Sequence, residues 1–246
     1  MTQPAPSGSP AARMSRGASW LARIAVFLGI ACVGLGALGG ALLYLAPMTI
    51  LTRSLDLPPQ VHAVYGTLRM GGADLPQGYT LTWSTRPGLR PWPGFGGTLR
   101  LEGSDTRLVG DLRLYPREIG IAAVSGRAGP GLAQLVPGAW RCGMTARVDE
   151  VTLLKAGGAT RADGRVTLPA GTCAKGARDV ELPEQNLIFS TEDNTAAGRL
   201  DAGGDRPLAY FQIDGAGRAI LSILEAAADI YPALPKNGPL TLEYSF

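Results

Sequence analysis

The chain carries the run IAVFLGIACVGLGALGGALLYLA at residues 24–46. None of its 23 residues is charged. At about 1.5 Å of rise per residue, such a run spans the roughly 30 Å hydrocarbon core of a bilayer with some room to tilt. Backbone in lipid must satisfy its own hydrogen bonds, so the run predicts a transmembrane helix over 20–46. The rest of the chain is then divided into a short tail before it and a domain of 200 residues after it.

Arg13, Arg16 and Arg23 precede the run, whereas Arg53 is the only nearby positive residue after it. The positive-inside bias puts the N-terminus in the cytoplasm and residues 47–246 outside it. A cleavable signal peptide is the competing reading. Its apolar region would be shorter, and Tyr44 and Pro47 stand where a cleavage site wants other residues. Residues 1–19, rich in Pro, Ser, Gly and Ala, cannot repay their ordering entropy and are expected to form a disordered cytoplasmic tail. Gly36 and Gly40 give a GxxxG spacing, a smooth face for a helix–helix contact, although glycine is common in membrane helices anyway.

The 246 residues allow one modest domain besides the anchor. The formal net charge is +3, and the arginines are spread along the chain. No basic cluster marks a nucleic-acid partner. With 34 glycines and 19 prolines, the composition suits short strands and turns. Cys32 lies within the apolar run and reads as a small apolar residue. Cys142 and Cys173 both fall in the outer domain and can pair in an oxidising compartment, closing a loop worth roughly 3–4 kcal/mol in the chain-entropy model. Two buried free thiols are the alternative. Neither has a second cysteine or histidine at metal-ligand spacing.

Strand signals follow. A short helical turn is expected in 48–56, stopped by Pro58 and Pro59, and a strand at 61–65 ahead of a Gly71–Gly72 turn. Tyr79, Leu81 and Trp83 alternate with polar residues. Residues 87–97 (PGLRPWPGFGG) read as a loop, with Trp92 and Phe95 exposed or folded back. Alternation resumes at 98–102, 107–115 and 119–125, and a helical turn is expected at 131–136. Strands then follow at 140–154, 165–168, 185–190 and 196–201, with turns at Asp163–Gly164 and Gly203–Gly204. Residues 208–214 form a strand whose buried face is Phe211 with Ile213. Residues 217–231 read as an amphipathic helix capped by Asp214 and stopped by Pro232, and 240–246 as a last strand. The expected architecture is mainly β: an antiparallel, meander-like and curled sheet with one or two short helices.

No catalytic constellation emerges. His62 is the single histidine and has no partner motif. Asp149–Glu150 and Glu192–Asp193 read as solvated charges. The glycines form no phosphate loop. We therefore expect no enzyme, no cofactor and no metal.

Several short motifs follow the anchor: Tyr65-Gly66-Thr67-Leu68, Leu81-Thr82-Trp83-Ser84-Thr85-Arg86-Pro87, Gly97-Thr98-Leu99-Arg100-Leu101, Gly110-Asp111-Leu112-Arg113-Leu114, and the closing Asn237-Gly238-Pro239-Leu240-Thr241-Leu242. Together they resemble the type II secretion system protein N family, over most of residues 20–246. Arg69 and Met70 stand where that family often has a tryptophan. The resemblance implies a single-pass inner-membrane accessory of type II secretion with a periplasmic β domain. Its partners would be the inner-membrane platform and the outer-membrane secretin, and it would have no catalytic residues. Strand edges and the Trp92–Phe95 segment are the candidate partner contacts. The alternative is a lipid-handling protein like the AsmA family, anchored once, with acyl chains lying on a curled β groove. A solid interlocked core would favour the first reading, and a continuous open apolar groove the second.

Overall fold

In the computed structural model, residues 16–51, 61–90, 92–134, 141–175, 178–204, 206–231, 234 and 238–245 are described. The chain divides into two compact units, Met1–Ala46 and Pro47–Phe246.

The first unit holds one helix, α1 (Arg16–Leu45). Its start corrects the expected tail: residues 16–19 are helical, because no proline lies between Pro10 and Pro47 to stop a helix nucleated in the apolar run. The rest of that tail, 1–15, lies outside the described residues. Val26, Phe27, Leu28, Ile30, Val33, Leu35, Leu38 and Leu42 all point outward and are exposed. Among the described residues no helix is long and apolar enough to cross a membrane.

The second unit opens with the short α2 (Met48–Leu51), and the expected Pro58–Pro59 stop lies outside the described residues. Sixteen strands follow among the described residues. They are β1 (Ala63–Gly66), β2 (Met70–Asp74), β3 (Thr80–Arg90), β4 (Trp92–Glu102), β5 (Arg107–Tyr115), β6 (Glu118–Ala128), β7 (Arg141–Cys142), β8 (Ala146–Ala156), β9 (Ala159–Leu168), β10 (Gly171–Lys175), β11 (Arg178–Leu182), β12 (Gln185–Glu192), β13 (Thr195–Ala202), β14 (Arg206–Ile213), β15 (Arg218–Ile223) and β16 (Leu240–Ser245). Two short helices, α3 (Pro130–Ala133) and α4 (Ala226–Ile230), sit among them.

Thirteen strands form one antiparallel sheet in the order β1 to β6, β8, β9, β12 to β16; β11, β10 and β7 make a small second sheet. Every neighbour in the large sheet is the next strand in sequence, apart from two excursions, β7 between β6 and β8 and β10–β11 between β9 and β12, that build the small one. The expected antiparallel meander is therefore present. Tight loops carry it. Gly157 and Gly158 (φ 57° and 87°) close β8–β9, and Asp193 and Asn194 (φ 47° and 63°) close β12–β13. Both are two-residue turns with the left-handed geometry that suits the right-handed twist of a hairpin. Gly203 and Gly204 form the expected turn.

Four expectations are corrected. Gly71 and Gly72 lie inside β2, not in a turn. Their bare Cα atoms face rings: a Cβ on Gly71 would stand 2.5 Å from Trp83, and one on Gly72 2.7 Å from Tyr65. Asp163 and Gly164 lie inside β9, where a bulge on β8 between Asp149 and Thr152 brings backbone close to Gly164.

Residues 87–97 are a paired hairpin arm, not a loop, with β3 and β4 in register from Thr80↔Glu102 to Arg90↔Trp92. The buried Tyr115 ring lies across Gly88, Gly94 and Gly96, and a Cβ at Gly94 would stand 2.4 Å from Tyr115 Cδ1. The glycines are there to seat a ring.

Finally, the helix expected over 217–231 is replaced by β15 and the five-residue α4. Arg218–Ile223 pairs with β14 on one side and β16 on the other, and these two ladders outweigh the local 3.6-residue spacing. Asp214 caps the hairpin turn instead. Its Oδ1 accepts the backbone N–H groups of Ala216 and Arg218, each at 2.9 Å, and its Oδ2 accepts from Arg218 Nε at 2.8 Å. The Arg218 backbone N–H and then its guanidinium hold the Asp214 carboxyl below the usual carboxylate range.

Two small clusters are buried. One joins Met144, Cys173 and Leu182, with Cys142 packed against them; the other joins Ala202, Leu208 and Ala227 under α4. Leu208 is 0% exposed. A register shift between Leu200 and Asp201 leaves Leu208 unopposed on β14, which turns it inward out of phase with the half-buried Phe211 and Ile213. Cys142 and Cys173 face each other across β7 and β10 and are disulfide-bonded. The two short strands share few ladder bonds, so the covalent link is what fixes the small sheet's edge.

Candidate interaction face

Residues directly opposite on antiparallel neighbours share a face of the sheet. Followed strand by strand, the register links Val64, Ala73, Leu81, Leu101, Leu108, Gly126, Val148, Val166, Leu187, Leu200, Ala209, Ile223 and Leu240 into one unbroken row. It crosses all thirteen strands without a polar side chain. A second row, two residues along each strand, includes Trp83 with Leu99, Val124 with Val151, and Phe189, Gly198, Phe211, Leu221 and Leu242. Phe189 and Phe211 meet edge to face at 5.7 Å above Gly198, whose Cβ would stand 2.0 Å from the Phe211 ring. A third row includes Leu112, Ile121, Leu153 and Ala162.

The opposite face is polar in the same regular way: Thr80, Glu102, Arg107, Arg127, Arg147, Thr167, Asn186 and Asp201 lie in register. The sheet is thus amphipathic as a whole. An apolar sheet face is normally buried against a second layer. Here only Ala73 and Val148 of the first row are buried; every other member is half-buried. Among the described residues no long helix of the second unit lies over it. The Leu, Val and Ile side chains form a continuous apolar surface that is partly open, not an interlocked core.

The face ends at an edge strand. β16 pairs with β15 alone among the described strands, and Leu242 is exposed on it. Such an edge is a template for an added strand.

A hydrogen-bonded knot pins one border of the sheet. Tyr79, 2% exposed, donates its hydroxyl to Asp105 Oδ1 at 2.6 Å, and Thr106 Oγ1 donates to the same oxygen at 3.0 Å. Gly131 N–H donates to Asp105 Oδ2 at 2.8 Å, and Gly129 N–H donates to Thr106 Oγ1 at 2.8 Å. The β2–β3 connection, the β4–β5 turn and the start of α3 are thereby tied at one carboxylate. The Tyr79 hydroxyl, followed by the Gly131 N–H, holds the Asp105 carboxyl below its ordinary value. Burial, followed by its bond to Asp105, raises Tyr79. No spacing in the sequence announces this knot, since its members are joined only by the fold.

The residues singled out from sequence are scattered. Trp92 is 49% exposed at the hairpin tip with Arg117 stacked on its ring, 5.4 Å from the centroid, and Phe95 is half-buried on the other face. The two do not form one contact surface, because their odd and even positions put them on opposite sides of β4. Gly36 and Gly40 lie in α1 with nothing within 4 Å of where a Cβ would stand. His62 is exposed and precedes β1, its backbone N–H bonded to Asp74 O at 2.8 Å. Asp149 is ion-paired with Arg147 at 2.9 Å. Among the described residues no group of three His, Cys, Asp or Glu side chains could hold a metal ion. In comparisons with known proteins, the chain matches no family model, no curated protein and no solved structure.

Proposed function

We propose that the protein is a membrane-tethered β platform serving type II secretion, and that it works by contact through an open sheet face, not by catalysis. The observation that carries the contact mode is the unbroken apolar row crossing thirteen strands while remaining half-buried; its openness taken alone favours the lipid reading below, and the choice of secretion rests on the short motifs. A surface of that kind stays open only if something apolar is meant to meet it. The edge strand β16, paired with β15 alone among the described strands, adds a place where a strand of the secretin or of an inner-membrane platform protein can pair. The proposed tether is the charge-free run at 24–46; its single crossing of the inner membrane, with residues 47–246 in the periplasm, is the reading of that run's sequence and is not carried by α1 itself. The Cys142–Cys173 disulfide agrees with an oxidising compartment. The specific link to type II secretion rests on the resemblance of the short motifs given above.

The same face favours a second reading, a lipid-handling protein like the AsmA family. Its specific support is that the rows are partly exposed, not interlocked, which suits acyl chains lying along the strands. Crosslinking in intact cells, followed by affinity purification and mass spectrometry of proteins and lipids, separates the two. Secretin and platform peptides attached to β14–β16 are the expected result. Phospholipid recovered on the rows, with no secretion component, would replace the first reading with the second.

A further inference from the structure

The register shows that the β3–β4 hairpin outruns its neighbours. β2 pairs with β3 only as far as Ser84, and β5 pairs with β4 only from Phe95. The described residues between Gly88 and Gly94, Leu89 and Trp92 among them, therefore extend past both flanking strands, with Tyr115 lying against Gly88 and Gly94 at their base. This tip carries Leu89, 79% exposed, on the face that holds Phe95 and Leu114, where Ile119, 57% exposed, lies beside its base, and Trp92 on the opposite face. Around these apolar groups stand Arg86, Arg117 and Lys155, all exposed and none ion-paired with a described acidic residue. Of the described acidic residues nearby, Glu118 is taken by Arg113 at 2.9 Å, and Asp111 lines a cleft with Arg86 and Arg113.

We propose that this tip seats on an anionic phospholipid surface. The chemistry is that of an interfacial anchor: a leucine and a tryptophan to enter the headgroup boundary, and unneutralised cations to meet lipid phosphates. Charge complementarity selects this occupant. The backbone disfavours the rival one, an added peptide strand, because Pro87 and Pro93 have no N–H to offer and guard the tip's edges. The inference goes beyond the secretion reading and does not depend on it, since vesicle binding requires no secretion component.

The test uses the full chain in phosphatidylcholine nanodiscs, floated with vesicles of phosphatidylcholine alone or mixed with phosphatidylglycerol. Co-flotation with the anionic vesicles only, falling with added salt, is expected. Each tip arginine near an anionic surface contributes about 1 kcal/mol, about fivefold in affinity, so R86Q/R117Q should weaken binding about 25-fold. The variant R127Q/R147Q, on the charged face away from the tip, should bind as the unaltered chain does. An environment-sensitive label on L89C, in a C32A background, should shift to an apolar signal on anionic vesicles. Equal flotation with both vesicle types, an unchanged R86Q/R117Q, or an equal loss in R127Q/R147Q would overturn the proposal. The label reports on the tip itself, so loss through misfolding is recognised by a shifted signal before vesicles are added.

Discussion

Replacing Tyr79 by phenylalanine removes one oxygen from the knot at Asp105 and leaves the ring in place. The lost bond is short, 2.6 Å, and its acceptor is charged. A hydrogen bond to a charged group contributes roughly 1.5–3 kcal/mol. Asp105 is only half-buried, so water can take part of the vacated position. The expected cost of Y79F is therefore near the lower end, about 1.5 kcal/mol. D105N should cost more. Its amide has one acceptor where the carboxylate offers two, so either Gly131 N–H or the Tyr79 and Thr106 hydroxyls face a donor.

The two variants also predict different pH behaviour. A carboxyl held below its ordinary value binds protons less readily in the folded chain than in the unfolded one. Its contribution is thus present above the ordinary carboxylate value and is lost as pH falls through the folded value. The gap between unaltered chain and D105N should be widest at neutral pH and close in acid. Urea unfolding of the full chain in nanodiscs, followed by near-ultraviolet circular dichroism at several pH values, measures both effects. A Y79F chain as stable as the original, or a D105N gap that does not narrow in acid, would refute this account of the knot.

G94A should destabilise by about 1–3 kcal/mol in the same assay, because the new methyl meets Tyr115 Cα at 2.9 Å and Leu114 O at 2.7 Å, which are backbone atoms that cannot step aside. G96A, whose methyl would meet only the Tyr115 hydroxyl at 3.1 Å, should stay within about 0.5 kcal/mol. Opening the disulfide with C142A/C173A releases a loop of sequence separation 31 and should cost roughly 3–4 kcal/mol, read as a lower urea midpoint. If α1 meets a second helix through its glycines, G36L/G40L should abolish energy transfer between labelled copies in bilayers; unchanged transfer would remove that contact.

Strand positions with clean two-residue alternation were legible from sequence, and residues 107–115 were found to the residue. So was the cysteine pair. The misreadings share one cause: a local signal overruled by a partner far away in sequence. Glycines at 71–72 and 94–96 looked like turns, since nothing local says that Trp83 or Tyr115 will lie on them. Ile220, Ile223 and Leu224 fell at helical spacing, but β14 and β16 claimed their backbone. The apolar rows were invisible for a deeper reason. Each strand supplies only one or two of their members, and register, which the bulges at Val109 and Asp149 help set, decides which residues line up.

The meander order of the large sheet has a consequence for how the chain is made. As the polypeptide emerges N-terminus first, the partner of each new strand is the hairpin just completed. In the large sheet no strand waits for a distant mate; the entropy of closing long loops is met at the two insertions that build the small sheet, where β7 waits for β10. At every stage the growing edge is a single exposed strand, soon capped by the next. Among the described strands β1 and β16 stand at the two edges of the large sheet, and in the small sheet oxidation, not synthesis order, locks the pairing.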